Sequence, residues 1–289
     1  MEWYFIVLLS ACFLAGADLF MKKSLFTDHA LEFLLSTSFL IVLFLLPFVF
    51  RMHFSFSFSL YSLIFLKACL VSGAWLLFMK GVRHLELSKA IPLKNLSSFF
   101  VVILSFFFLG ERLTFLQWGG ILILIFGAAL LELEKDIFHF IHKIKELPKH
   151  YLFLILLGLF LGALCAILDK IILREVEVLT FTFLNFAFLF ILYFIYSSLL
   201  YHGYKDMITV YKKTKWLVLG FSSFMLIADY LHFYVISIPS AYISLIIPIR
   251  RLGSLISTLV GGEMFHEHQI GIRVFASTIM LIGVLLLVL

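Results

Sequence analysis

Long apolar segments alternate with short polar ones along the whole chain. Most apolar runs contain about 18 to 24 residues, and about 20 apolar residues in a helix cross the hydrocarbon core of a bilayer. Ten runs are predicted to be membrane-spanning helices, at 3–25, 30–50, 61–82, 87–110, 114–132, 150–173, 178–200, 216–236, 240–262 and 269–289. The pattern therefore predicts an all-α integral membrane protein with ten transmembrane helices.

The longest polar insert, at 134–149, divides these spans into two sets of five. Its apolar residues recur at helical spacing and are Ile137, Phe140, Ile141 and Ile144. Because the charged residues Lys143, Lys145 and Glu146 lie elsewhere on the helical wheel, we expect an amphipathic helix in the membrane interface. The predicted organisation is a five-helix repeat at 1–133, the linker helix at 134–149 and a second five-helix repeat at 150–289.

The two sets of spans resemble each other in sequence. Residues 85–133 align without a gap on residues 241–289, a shift of 156 positions. The informative matches are Ser88 with Ser244, Pro92 with Pro248, Ser98 with Ser254, Glu111 with Glu267, and Gly127 with Gly283. A weaker match at a shift of 147 pairs Lys23 with Lys170. Because each repeat has an odd number of spans, we predict inverted repeats with a substrate site between them and alternating access.

Composition argues against a soluble nucleic-acid-binding protein. The chain is 63% hydrophobic and 13% charged, so no soluble domain with a basic surface remains outside the spans. Cys12, Cys69 and Cys165 fall inside predicted helices without metal-ligand spacing. The chain opens on Met1 and Glu2 without a basic leader, and we expect the first span to remain in the mature protein.

Lysine and arginine are concentrated in the odd-numbered connections between spans. The positive-inside rule then places those connections in the cytoplasm and both termini on the opposite side. We therefore expect a multi-pass protein of the cell (inner) membrane with extracytoplasmic termini.

Ionisable residues inside the spans are the strongest functional signal, since such groups rarely face lipid. They are Asp18, Lys67, Lys94, Asp169, Lys170, Asp229, Arg250 and Arg251. Under the repeat, Lys94 aligns with Arg250, and each follows its proline by two residues. One basic group from each half suits an anion, and an arginine fork binds phosphate or carboxylate with two hydrogen bonds. The alternative is that an arginine pairs with Asp229 or Asp18.

Candidate substrate-binding residues are Lys67, Lys94, Arg250, Arg251, Tyr230 and Tyr234. Trp75 and Tyr242 are further candidates for a cavity wall, although every aromatic residue in so apolar a chain is also a candidate for ordinary packing.

Asp18 and Asp229 are candidate proton carriers, because a membrane-embedded carboxylate is able to bind a proton at physiological pH. Partnership with a lysine or arginine is the opposing interpretation. Lys23 and Lys170 complete the set of coupling or counter-ion candidates.

Pro92 and Pro248 each remove the hydrogen bond to a carbonyl four residues earlier, at Ser88 and Ser244. A tolerated kink explains both prolines, and a paired hinge is the functional hypothesis built on it.

Three further patterns favour structural roles over chemistry. Glu111 and Glu267 lie at turns after the fourth and ninth spans, where a helix cap or an interfacial ion pair is favoured over a substrate role. His266 and His268 flank Glu267, but alternate histidines at a turn are a weak metal signal, and we predict no metal site. Gly158 and Gly162 form a GxxxG pattern typical of close helix packing.

The run "Leu-Gly-Glu-Arg-Leu-Thr" at 109–114, within a Pro, Gln, Gly and Gly pattern at 92–127 and its echo at 248–283, carries a family resemblance. Together with ten spans in two repeats, it resembles the drug/metabolite transporter superfamily in its EamA-like form. That resemblance implies transport of a small metabolite and leaves the substrate open, since members move amino acids, nucleotide sugars, phosphorylated sugars and choline.

A narrower resemblance concerns three basic residues. Triose-phosphate and nucleotide-sugar transporters carry an adjacent basic pair on the ninth span and a lysine on the fourth, which bind the substrate phosphate. Arg250, Arg251 and Lys94 match those places here. Small multidrug-resistance relatives couple protons through a glutamate of the first span, and Asp18 is the nearest carboxylate in this chain.

The leading hypothesis is a secondary active transporter of a small anionic metabolite, such as a phosphate ester, nucleotide sugar or lipid-linked phosphate. The alternatives are an exporter of amino acids or other zwitterionic or drug-like molecules, and a membrane scaffold without transport activity. The chain lacks Gly-x-Gly-Asp, Gly-x-Ser-x-Gly and His-Glu-x-x-His, so we predict no enzyme and no cofactor. Expected partners are the substrate, the bilayer, and a proton or counter-transported anion, for a monomer or homodimer.

Overall fold

The computed structural model describes residues 3–24, 30–82, 96–132, 149–200, 204–253, 256 and 270–288. Ten α-helices and one 3₁₀ helix lie in these ranges, and no strand occurs in them. The α-helices are α1 (Trp3–Ser24), α2 (Ala30–Leu45), α3 (Phe58–Val82), α4 (Leu96–Leu109), α5 (Phe115–Glu132), α6 (Lys149–Ile172), α7 (Val178–Leu200), α8 (Tyr204–Ser237), α9 (Ile243–Arg250) and α10 (Ile270–Val288). The 3₁₀ helix, Leu46–Arg51, extends α2.

The helices fall where the apolar pattern predicts them. Among the described residues, six helices are long and apolar enough to cross a membrane, in α1, α2 with its 3₁₀ extension, α3, α6, α7 and α8. The described parts of α4, α5 and α10 contain shorter apolar stretches. The predicted linker helix at 134–149 lies outside the described residues except for its last residue.

The predicted eighth span, at 216–236, corresponds to the second part of a longer helix. The helix begins at Tyr204 instead of 216, and Thr214, at φ −129° and ψ 27°, interrupts its helical geometry. Lys212, Lys213 and Lys215 surround this break, which is why hydropathy separates the polar first part from the apolar part. The stretch suited to the membrane is Lys213–Ser237.

The chain divides into two compact units that each draw on both halves of the sequence. Unit 1 contains Met1–Ser72 and Leu168–Pro239, and unit 2 contains Gly73–Ile167 and Ser240–Leu289. Helices α3 and α6 contribute residues to both units.

In unit 1, α1 packs against α8, and α2 packs against α7 and α8. The first pairing depends on glycine: a Cβ placed at Gly16 would collide with the ring of Phe224, and one at Gly220 would lie 2.7 Å from the ring of Phe20. Each of the two helices thus seats a phenylalanine ring over a glycine of the other.

In unit 2, α4 packs against α9, and α5 packs against α10. A Cβ at Gly120 would lie 2.8 Å from the Gly283 carbonyl oxygen, and one at Gly283 would lie 2.8 Å from the backbone nitrogen of Leu124. A Cβ at Gly127 would lie 3.0 Å from the backbone nitrogen of Met280. The shift of 156 positions aligns Gly127 with Gly283 and Leu124 with Met280. The contact of Gly127 with Met280 is therefore the repeat equivalent of the contact of Gly283 with Leu124.

Candidate functional site

The N-terminus of α9 is held by a carboxylate from the turn after α4. Gly110, at φ 67°, ends α4 in the left-handed conformation that favours glycine, and Glu111 follows it. Glu111 accepts hydrogen bonds from the backbone nitrogens of Ile243 at 2.8 Å and Ser244 at 3.0 Å, and from Ser244 Oγ at 2.5 Å. The prediction that Glu111 serves as a helix cap is confirmed. Its counterpart Glu267 lies outside the described residues.

The same turn also starts α5. Gln117 N–H donates to Thr114 Oγ1 at 3.3 Å, while Thr114 N–H donates to Gln117 Oε1 at 3.0 Å. This reciprocal pair is a capping box. Within the Leu-Gly-Glu-Arg-Leu-Thr run, Gly110 therefore ends α4, Glu111 caps α9 and Thr114 caps α5.

Pro248 lies inside α9 and is buried. Because proline has no N–H, the helix loses a hydrogen bond at Ser244, and the next turn is tight. Arg251 N–H donates to the carbonyl oxygen of Pro248 at 3.0 Å, which is the spacing of a 3₁₀ turn. The helical geometry thus changes where the two arginines occur.

Arg251 lines a cavity of about 210 Å³ inside unit 2. Its Nη2 donates to Ser97 Oγ at 2.5 Å. The other lining residues are Ala74, Trp75, Ser97, Val101, Gly158, Leu159, Gly162, Ala163, Ala166 and Ile247. They come from α3, α4, α6 and α9, so both halves of the sequence contribute to the wall.

The two adjacent arginines differ in position. Arg250 is partly buried but does not belong to the lining of this cavity. Successive helical residues differ in direction by about 100°, so only one of such a pair faces a given side. Arg251 is the one on the cavity side.

The prediction that the GxxxG of α6 mediates close helix packing is wrong at Gly162. A Cβ placed there would meet no atom within 4 Å, and both Gly158 and Gly162 line the cavity. The missing side chain of Gly162 leaves room beside the helix instead of bringing a second helix into contact.

Unit 1 contains a separate charged cluster. Lys67 Nζ lies 3.1 Å from Asp169 Oδ1 and donates to Asn185 Oδ1 at 2.8 Å. Lys67 is 3% exposed, Asp169 6% and Asn185 3%. The ammonium also lies 5.2 Å from the ring centroids of Phe181 and Phe233. The expectation that ionisable groups inside spans pair with one another is confirmed for Lys67 and Asp169.

Lys170 holds the C-terminal end of α8. Its Nζ donates to the carbonyl oxygens of Ile236 at 2.8 Å and Ile238 at 2.7 Å. A cation at the last carbonyls of a helix satisfies acceptors that have no helical partner. In these contacts Lys170 acts as a helix cap.

The remaining predicted residues are placed as follows. Tyr230 and Tyr234 are 38% and 45% exposed and do not line the cavity, whereas Trp75 does. Asp229 is buried and Asp18 is partly buried, both in unit 1. Lys94, Pro92 and the side chain of Lys23 lie outside the described residues.

Sequence reasoning missed Ser97 and Asn185. A lone amide in the apolar α7 is the kind of signal that marks a polar contact inside a span. Ser97 carried no such signal, because serine is common in apolar helices. Among the described residues, no group of three or more metal-ligating side chains occurs.

Residues 1–133 match the model of the EamA-like transporter family. This part of the chain is EamA-like. The resemblance recognised from the motif at 92–127 is confirmed. The EamA-like match over residues 1–133 and the apolar helices indicate a multi-pass integral membrane protein with transmembrane helices.

Comparison with solved structures supports the same architecture. A crystal structure has a TM-score of 0.71 to this chain at 12% identity, and the match covers 99% of this chain and 96% of that one. At this identity the likeness shows the fold alone. No curated protein matches the chain.

Proposed function

We propose that the protein is a secondary active transporter of a small anionic metabolite. The observation that carries the proposal is the position of Arg251 in the wall of a cavity formed by both halves of the sequence. A guanidinium inside a membrane helix is costly, and an anionic substrate in a wet cavity offsets that cost. Arginine also binds a carboxylate or phosphate through two parallel hydrogen bonds.

Alternating access of two inverted five-helix repeats, at 1–133 and 150–289, is the proposed mechanism. Three helix pairings join elements five places apart in chain order, namely α2 with α7, α4 with α9, and α5 with α10. The exchange of glycine contacts between α5 and α10 under the repeat shift supports the same two-fold relation. In such transporters, the repeats exchange conformations around a fixed site.

The proposed hinge is the second half of α9. Glu111 fixes the first turn of this helix, while Pro248 removes a hydrogen bond immediately before the arginines. A helix that is held at one end and weakened in the middle bends at the weak point. Bending at Pro248 moves Arg251 relative to Ser97, and Pro92 is the proposed counterpart.

Coupling to a proton or to a counter-transported anion completes the proposal. Asp18 and Asp229 remain the candidate proton carriers. The cell membrane as the location, the extracytoplasmic termini and a monomeric or homodimeric state also remain predictions.

The decisive comparison is between Arg251→Gln and Arg250→Gln in the purified full-length protein. We expect carboxylates and inorganic phosphate to raise the Tm of the wild type and of Arg250→Gln, and to have at least a tenfold weaker effect on Arg251→Gln. Counterflow in proteoliposomes, with the most strongly stabilising anion, should follow the same order. Stabilisation by cations only, or by anions equally in all three proteins, would overturn the proposal.

A further inference from the structure

The size of the cavity limits what the Arg251 site is able to enclose. Its volume is about 210 Å³. A protein cavity of about 150 Å³ holds a benzene molecule, whereas pockets for drug-sized ligands begin near 300 Å³. The enclosed part of the substrate is therefore about one ring with a few attached atoms.

The wall provided by α6 consists of Leu159 and four small residues. Gly158, Gly162 and Ala166 follow one another at intervals of four residues, and Ala163 lies beside them. The open space at the Cβ position of Gly162 shows that this face is not filled by a neighbouring side chain. Trp75, Val101 and Ile247 supply further apolar lining. Such walls bind an apolar group of ring thickness.

The described polar lining of the cavity carries a positive charge and no negative one. Arg251 and Ser97 provide a cation and a hydroxyl, and no carboxylate occurs among the described lining residues. A guanidinium has five N–H donors and no acceptor, so it is able to bind a carboxylate in addition to Ser97. A substrate ammonium, in contrast, meets no anionic partner among the described lining residues and incurs the cost of burying an unpaired charge.

We propose that this site takes an amine-free organic monoanion, with its carboxylate on Arg251 and a single ring-sized apolar group against the α6 face at Gly162. This inference rests on the proposed function and narrows its substrate class. It favours a weak organic acid over zwitterions, whose ammonium meets no anionic partner among the described lining residues. Gly162 is then a specificity-determining position, because its missing side chain provides the space.

The test uses paired ligands on the purified full-length protein. Thermal shift titrations compare 3-phenylpropionate with phenylalanine, which has the same skeleton and an added ammonium group. They also compare acetate, isovalerate and 3-(2-naphthyl)propionate, with inorganic phosphate as an anion without an apolar group. We expect the affinity to rise from acetate to 3-phenylpropionate and to fall for the naphthyl acid, and phenylalanine to bind at least tenfold more weakly than 3-phenylpropionate.

Gly162→Leu supplies the test from the protein side. We expect it to weaken 3-phenylpropionate at least tenfold while leaving acetate and phosphate within about twofold of wild type. The matched control is Gly119→Leu on α5, where a Cβ also meets no atom within 4 Å but which does not line the cavity. That control should bind all ligands as the wild type does.

The outcomes separate the two proposals. If phosphate and acetate bind through Arg251 but 3-phenylpropionate binds no more tightly than acetate, the substrate inference fails and the proposal of an anion transporter stands. Equal binding of phenylalanine, or an unchanged titration of 3-phenylpropionate with Gly162→Leu, also overturns the inference. If no anion binds in an Arg251-dependent manner, both fail. If Gly162→Leu does not fold, the ligand series measured on the wild-type protein tests the inference by itself.

Discussion

At the scale of single residues, neighbouring charges in this protein have different surroundings. Arg251 contacts Ser97 at the cavity, and Lys170 caps α8 while its neighbour Asp169 pairs with Lys67. Each difference follows from the helical turn of about 100° between adjacent residues. The sequence identified the charged positions, but their directions depend on the packing of helices that are distant in the chain.

Removing one member of the Lys67–Asp169 pair should be strongly destabilising. Lys67→Met leaves a buried carboxylate without its cation, for which we expect a loss of about 3 to 5 kcal/mol in the free energy of unfolding. The double variant Lys67→Met/Asp169→Leu removes both charges and should regain most of that loss. Denaturant unfolding in mixed micelles measures both. A double variant as unstable as Lys67→Met would contradict a pairing role.

Ser97 is expected to act by positioning the Arg251 guanidinium and not as a separate substrate-binding group. Ser97→Ala removes one hydrogen bond that orients the guanidinium but leaves its charge in place, and we expect anion affinity to fall about three- to tenfold. Ser97→Thr retains the hydroxyl and should restore most of the affinity. Titration of 3-phenylpropionate by thermal shift measures the effect, and an unchanged Ser97→Ala would show that Arg251 is oriented by other contacts.

At the scale of helices, the apolar pattern predicted the elements well and their ends less well. Hydropathy located α1, α6 and α7 to within a residue or two, because their boundaries coincide with changes in polarity. It missed the first part of α8, since a polar helix before Thr214 has no apolar signature. The GxxxG of α6 was misinterpreted for a related reason: small residues permit either a close neighbour or an open cavity, and sequence does not distinguish them.

The cap of α9 gives a prediction at this scale. Glu111→Ala leaves the buried N–H groups of Ile243 and Ser244 without an acceptor, and we expect a loss of about 1 to 3 kcal/mol in stability. Glu111→Gln keeps one acceptor oxygen and should lose less. A Glu111→Ala protein as stable as the wild type would show that the cap contributes nothing.

Pro248 of α9 gives a second prediction at the scale of helices. Pro248→Ala restores an N–H that is able to bond to the Ser244 carbonyl, so we expect equal or higher thermal stability. If bending at this point is part of transport, counterflow in proteoliposomes should fall at least fivefold while anion binding is retained. Undiminished transport with a straightened helix would exclude a hinge at Pro248.

At the scale of the whole molecule, each compact unit combines segments from both sequence halves. No local pattern in the sequence reports such pairing, because it depends on contacts between residues more than a hundred positions apart, such as Glu111 with Ser244. The internal repeat was the one long-range signal available. It aligns Gly127 with Gly283, and both lie in the α5–α10 contact.

Gly283→Leu should therefore be far more damaging than a leucine at an open glycine. The new Cβ would lie 2.8 Å from a backbone nitrogen and 2.9 Å from the Gly120 carbonyl oxygen, and backbone atoms have no rotamer to change. We expect a loss of Tm of several degrees or failure to fold, measured beside Gly119→Leu, which should unfold near the wild-type temperature. Similar stability of the two variants would disprove a backbone contact.

The backbone contact between α5 and α10 has a practical consequence for observing transport. Helices α5 and α10 are in contact through their main chains at Gly120 and Gly283, with no intervening side chains. We therefore expect the two helices to move as one rigid body. Spin labels at the exposed positions Leu122 and Leu281 should then report one narrow distance in every state. That pair provides a constant reference distance, with which distance changes elsewhere in the transporting protein can be compared.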